Sequence, residues 1–186
     1  PAPSRNLLRW SQDIANAVWA KGAAVTVTDN AGIAPDGTAT ADLVSSTSNG
    51  QGTLQSFACL SSTVYTVSGY FKAAPSNPAT DLLFRDVGGV GGHHLQINPV
   101  AGTIVSTAGV TASGVIAAGN GWYRFWMTYT TEAGQTGISL QPRLNQTPSP
   151  SLGWHVWGLQ VERGATLTDY APTTVAQVDK TTTATT

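Results

Sequence analysis

The chain reads as all-β, a two-sheet antiparallel β-sandwich of jelly-roll type, and three observations predict it. Short stretches alternate apolar and polar residues with the period of two that a strand imposes. Gly, Pro and Asn punctuate them at short intervals, as in sandwiches and barrels. No segment carries the 3.6-residue period of a sustained amphipathic helix. At 186 residues there is enough chain for one well-buried domain, expected over 1–173, with a Thr-rich tail or linker at 174–186.

Taken in order, residues 6–19 read as an irregular lead with one helical turn near 13–18. Residues 24–28 alternate small apolar residues with Thr, and Ala34-Pro35-Asp36-Gly37 is a turn signal. Strands are expected at 53–60, 64–73 and 82–87, with Pro75 and Pro78 marking the loop between the last two. The run Gly88-Gly89-Val90-Gly91-Gly92 reads as a flexible connection. It lacks the Lys-Ser/Thr of a phosphate loop, so it gives no support to nucleotide binding. Further strands are expected at 93–98, 103–106, 121–131, 136–144 and 154–161.

Composition narrows the function classes. Hydrophobic residues make up 41% of the chain and charged ones only 10%, against roughly 25% charged in an ordinary domain. A core is affordable, and the surface is polar through Thr, Ser, Asn and Gln rather than through charge. A net charge of -1 offers no basic footprint for nucleic acid. No apolar run reaches the ~20 residues of a membrane span, and no secretory leader is recognised at the start. Cys59 is the single cysteine; between Ala58 and Leu60 it reads as a buried, inert thiol.

Alternation sorts the two faces of each strand. Tyr123, Phe125, Met127 and Tyr129 form one side of their strand and Trp122, Arg124, Trp126 and Thr128 the other. Tyr65, Val67, Gly69 and Phe71 oppose Thr66, Ser68, Tyr70 and Lys72. Leu82 and Phe84 oppose Leu83 and Arg85; His93, Leu95 and Ile97 oppose His94, Gln96 and Asn98; Ile138 and Leu140 oppose Ser139, Gln141 and Arg143. In each pair the first set makes the better core. Trp157 joins the expected core, and Tyr170 is expected to anchor the C-terminal end.

Pooled, the non-core sides hold Trp122, Trp126, Tyr70, Arg85, Arg124, Gln96, His94 and Gln141, the candidate glycan-binding residues. Aromatic rings offer a flat apolar face to the C–H side of a sugar, while amides and guanidinium groups hydrogen-bond its hydroxyls. Trp122 and Trp126 would stand about 13 Å apart along one strand, a spacing suited to an extended oligosaccharide. The structural alternative stands beside it: the outer aromatics are covered by the N-terminal segment or a long loop. Period-two reading also leaves open which outer faces share a sheet.

Five blocks carry a resemblance. They are Asn6-Leu7-Leu8 with Ser11 and Trp19; Ala34-Pro35-Asp36-Gly37-Thr38 with Ala41; Tyr65-Thr66-Val67-Ser68-Gly69-Tyr70-Phe71-Lys72-Ala73; Asn120-Gly121-Trp122-Tyr123-Arg124; and Trp157-Gly158-Leu159-Gln160-Val161-Glu162. Together, over about 6–173, the chain resembles the lectin-like jelly-roll domains of bacteriophage tail fibres and related appendages. The resemblance implies a non-enzymatic virion domain, in a tail fibre or surface decoration, that binds bacterial surface glycans and touches other virion proteins. It implies a virion or extracellular setting and leaves homo-oligomerisation open. Two alternatives remain: a purely structural decoration domain, or a carbohydrate-binding module of a polysaccharide-degrading enzyme. The chain departs from the pattern at Gly91-Gly92-His93-His94 and Pro148-Ser149-Pro150.

Other chemistry finds little support. Some jelly rolls of carbohydrate-binding type hold a structural calcium ion near the termini, and Asp42, Asp169 and Glu162 are the oxygen donors this chain would offer. No other cofactor is expected. The acids Asp81, Asp86, Glu132 and Glu162 show no pairing of the kind glycoside hydrolysis needs. His94, Tyr70 and Arg85 are the residue types of a jelly-roll polysaccharide lyase, provided they converge. Adjacent strand histidines point to opposite faces, so His93 and His94 cannot readily share a metal.

Overall fold

The computed structural model describes residues 5–88, 92–148, 150–175 and 178–179. The strands are β1 (Arg5–Asn6), β2 (Ala20–Lys21), β3 (Val25–Gly32), β4 (Ala41–Ser46), β5 (Thr53–Ala58), β6 (Val64–Ala73) and β7 (Leu82–Val87). They continue with β8 (His94–Asn98), β9 (Thr103–Ala108), β10 (Ala112–Gly119), β11 (Trp122–Thr130), β12 (Gly137–Leu144), β13 (Leu152–Arg163) and β14 (Val178–Asp179). One six-stranded sheet has the order β10-β11-β6-β13-β4-β3 and the other β2-β5-β12-β7-β8-β9, all neighbours antiparallel. This is the expected two-sheet sandwich. Among the described residues there is no helix, and 13–18 is a set of turns instead.

The core lies where alternation places it. Phe71, Phe125, Met127, Tyr129, Leu82, Phe84, Leu95 and Ile97 are fully buried between the sheets, with Tyr65, Ile138 and Leu140 nearly so. Phe71 meets Phe84 and Phe125 edge-on, at ring-centre distances of 5.2 and 6.1 Å. Tyr123 is half-buried against this cluster. Cys59 is buried, and burial raises its thiol pKa.

Strands β4 and β10 carry no alternation to read. β4 is buried along most of its length, and β10 is an edge strand of small residues. β13 is also buried almost throughout, because chain segments cover its outer side. Its register against β6 shifts between Trp157 and Gln160, where Gly158 sits at a φ of +61°. That is a β-bulge, and the left-handed backbone there favours glycine.

The bulge releases Leu159, and the N-terminal lead takes it up. The Leu159 N–H donates to the Ser11 carbonyl and its carbonyl accepts from the Asn6 amide. Asn6 is fully used: it also donates to the Ala171 carbonyl, and its Oδ1 accepts from Leu8 and Val161 N–H. Gln160 accepts the Ala171 N–H, and Ser11 bonds both Tyr170 Oη and the Thr173 N–H. The resembling blocks at Asn6, Ser11 and 157–162 thus form a latch tying both ends of the chain across β13. Beyond it, Val178 and Asp179 pair with Asn6 and Arg5 through their backbones. Of the Thr-rich tail, 176–177 and 180–186 lie outside the described residues.

Candidate functional site

The eight pooled residues divide between two opposite faces. Tyr70, Trp122, Arg124 and Trp126 stand on the outer side of the β11-β6-β13 sheet. Arg85, His94, Gln96 and Gln141 stand on the outer side of the β12-β7-β8 sheet. The question of which outer faces share a sheet is thereby answered: the pooled residues form two groups, with the sandwich between them.

On the first face most of the expected platform is covered. Trp122 is only 2% exposed; Ala34 and Ala41 pack on it and its indole N–H donates to the Ile33 carbonyl at 3.0 Å. Arg124 is buried, donating to Ser68 Oγ at 2.9 Å, with its guanidinium 5.4 Å from the centre of the Tyr70 ring. Trp126 is half-buried opposite Gly114 on the edge strand, where a Cβ would lie 2.6 Å from its Nε1. An extended Trp122–Trp126 stacking surface does not form.

A different aromatic group opens instead. Tyr70, Trp157 and Tyr170, with Gln12, Pro35, Asp36 and Pro172, line a concavity of about 380 Å³. Ring centres stand 5.3 Å apart for Tyr70–Trp157 and 4.7 Å for Trp157–Tyr170. The indole N–H of Trp157 donates to Thr40 Oγ1, and Tyr170 Oη bonds Ser11 Oγ at 2.6 Å, so both rings are fixed. The bulge at Gly158 makes the arrangement fit: a Cβ there would lie 3.1 Å from Tyr70 and 3.4 Å from Tyr170. Trp157 is buried as expected but faces out of the sheet, not into the main core. A glycine inside a strand pattern signals a bulge; that signal at Gly158 could have flagged Trp157 as re-aimed.

On the second face, Gln141 pairs across to Arg85 and Arg85 to His94. In the next row Arg143 pairs with Leu83, and Leu83 with Gln96. Gln96 is internally engaged, donating to Asp81 at 3.0 Å and accepting from Ser106 at 2.7 Å. Since Tyr70 lies on the other sheet, the lyase trio His94–Tyr70–Arg85 does not converge.

The candidate calcium ligands also separate. Glu162 accepts bonds from Thr168, whereas Asp42 meets Asp13 and Asp29. Burial pushes the Asp42 carboxyl up to about 6, although the N–H groups of Asn30, Ala15 and Ile14 all donate to it and pull the other way. Lys21 Nζ takes the nearby Ala15 and Asn16 carbonyls at 2.7 and 2.6 Å. Calcium takes six to eight oxygens; the carboxylates of Asp13, Asp29 and Asp42, within 4.8 Å of one another, supply part of such a shell, and Glu162 is not among them. His93 is buried, stacked on Tyr129, and bonds Asp86 at 2.9 Å, while His94 faces out, as their alternation requires.

No protein-family model and no curated protein matches the chain. Solved structures do. The CBM22-1 xylan-binding domain of Paenibacillus barcinonensis Xyn10C superposes with a TM-score of 0.54 at 16% identity, over 88% of this chain and 97% of that one. The chain has a carbohydrate-binding-module-like fold. The tandem CBM22-1-CBM22-2 of the same enzyme gives 0.56 at 15% identity, over 91% of this chain and 48% of that one. The enzymatically active domain of bacteriophage CBA120 tailspike protein 4 gives 0.52 at 14% identity, over 85% of this chain but 21% of that one.

Proposed function

We propose that the chain is a non-enzymatic glycan-binding module of a bacteriophage virion appendage, a tail fibre or surface decoration, that attaches to bacterial surface glycans. The concavity lined by Tyr70, Trp157 and Tyr170 carries the reading. It offers fixed aromatic rings beside a carboxylate and an amide, the groups that hold a pyranose by stacking and by hydroxyl hydrogen bonds. Support for glycan binding also comes from the xylan-binding neighbour, and for the virion setting from the sequence resemblance and the tailspike neighbour. Weak single sites would act through many copies on a particle.

A second reading, a module attached to a polysaccharide-degrading enzyme, is favoured by one observation: the chain spans nearly the whole of the xylanase-borne domain. A glycan array on the purified chain tests binding. Retention of a neutral glycan that Tyr70→Ala and Asp36→Ala both abolish, with the melting transition unchanged, is expected. Wild-type retention of no glycan would leave a scaffold role, with the aromatics acting only as packing.

A further inference from the structure

We infer that the outer face of β12, β7 and β8 is a second carbohydrate subsite, built for the carboxylate of an acidic polysaccharide through Arg85 and Arg143. It keeps the glycan reading above, but places the acidic sugar on the opposite side of the sandwich from the aromatic concavity. Four observations carry it.

Arg85 pairs across strands with Gln141, which puts Arg143, two residues further along β12, on the diagonal. Diagonal neighbours on one face lie roughly 7–8 Å apart, a gap that two guanidinium groups can close on one carboxylate. Like charges so placed repel, and burial first, then the Arg85 charge, lowers the pKa of Arg143. Among the described residues neither arginine has a carboxylate partner; the ion pairs there are those of His93 with Asp86 and Glu132. Asp81, at the head of β7, is turned to other donors: Asn145 at 3.1 and 3.2 Å and Gln96 at 3.0 Å.

The remaining polar groups are left for a ligand. Arg143 Nε is buried with no hydrogen-bond partner, and Arg85 spends only its Nε, on the Asp86 carbonyl at 3.3 Å. The Gln141 amide, between the two arginines, makes no hydrogen bond among the described residues. Ser139 and Ser56 continue the face with hydroxyls 2.7 Å apart, and His94 borders it on the other side. A planar guanidinium fork matches a carboxylate, so an anion would relieve the repulsion and satisfy the donors together. No Trp, Tyr or Phe stands among the outward residues of β12, β7 and β8. Ring stacking therefore cannot supply the affinity there, and charge must.

The test is affinity electrophoresis of the full chain through polygalacturonate and through its methyl ester. Polygalacturonate should retard the wild type at low salt, high salt should release it, and the ester should have little effect. Arg85→Gln with Arg143→Gln should weaken retardation at least about tenfold. Gln141→Glu, which sets a competing carboxylate between the arginines at a half-exposed position, should do the same with the melting transition intact. Equal retardation by the ester, retardation by neither polymer, or insensitivity to Gln141→Glu would overturn the inference. Neutral glycans retained on the array while polygalacturonate fails would sink this site and spare the aromatic one; the reverse pattern would do the opposite.

Discussion

Outward from β6, β11 and β13 stand Tyr70, Trp122, Arg124, His155 and Trp157, while outward from β12, β7 and β8 stand Ser139, Gln141, Arg143, Arg85, His94 and Gln96. The first group is largely covered and the second is half-buried throughout. Aromatic area left in water is costly at about 25 cal/mol per Å², and the chain covers it with its own segments: the β3–β4 connection lies over Trp122, and the terminal latch packs Tyr170 on Trp157. The polar face is covered less completely, because its side chains lose little by staying partly wet. An outer aromatic in this sandwich is thus first a fastening, and a binding surface only where the cover leaves a gap. The outer arginine pair has no carboxylate partner among the described residues, and of its donors only Arg85 Nε is engaged, on the Asp86 carbonyl.

The largest expected effect destroys both faces together. Phe125→Ala removes a fully buried ring between the sheets and should cost about 3–5 kcal/mol in chemical denaturation. Binding at the two faces should then disappear at the same denaturant concentration. A variant that lost one activity well before the other would show that the sheets do not share one cooperative core.

Asn6→Ala attacks only the covered face. It strips donors from the Leu159 and Ala171 carbonyls and an acceptor from Leu8 and Val161 N–H. The cost should be on the order of 3 kcal/mol, since each buried group left unpaired costs roughly 1–3 kcal/mol and some regain water. Near-ultraviolet circular dichroism from the Tyr70–Trp157–Tyr170 group should weaken, while the arginine face keeps its ligand in the remaining folded protein. Equal loss at both faces would contradict the separation drawn here.

How much of this was legible in the chain depends on distance along it. Strands β6 and β7 lie where alternation puts them, and the inward and outward sets of β6, β7, β8, β11 and β12 follow the period of two. That period is local, and it reports only which residues share a side. Whether Trp122 and Gln141 share a sheet is decided by strand pairing, a non-local property. Trp122 is covered by Ile33, 89 residues earlier. Asn6 stands out in the sequence only as part of a resembling block, and its bonding role shows once β13 is placed beside it. Strands β4 and β10 escape because one is mostly buried with its polar residues included, and the other is made of small residues.

Acid separates two groups near the covered side by the sign of their effect. Burial raises the Asp42 carboxyl from 3.8 to about 6, so the folded state holds its proton more tightly than the unfolded chain does. Its contribution to stability is complete below about pH 4 and is lost as pH rises through about 6. Burial first, then the Lys72 charge, lowers the pKa of His155 below its ordinary 6.5. Its contribution is therefore present above about pH 6.5 and is lost as pH falls through its lowered value. Asp42→Asn should flatten the fall in melting temperature between about pH 4 and 6, and His155→Gln should flatten the loss on the acid side. Profiles unchanged by either substitution would place the titrating groups elsewhere.

Truncation after Thr174 should have the smallest effect. The bonds that hold the covered face survive it, because the Trp10 and Ser11 N–H groups reach the Thr174 and Thr173 carbonyls, and Tyr170 keeps Ser11. What is lost is the pairing of Val178 and Asp179 with β1, two residues on each side at the margin of the fold. A net backbone bond contributes about 0.5–1.5 kcal/mol, and a fraying terminus recovers part of that from water. The truncated chain should therefore melt within a few degrees of the full one and keep both binding activities. A fall as large as that of Asn6→Ala would mean that β14, rather than the Asn6–Gln160 latch, closes the aromatic face. Tyr170 would then be held in place from the tail.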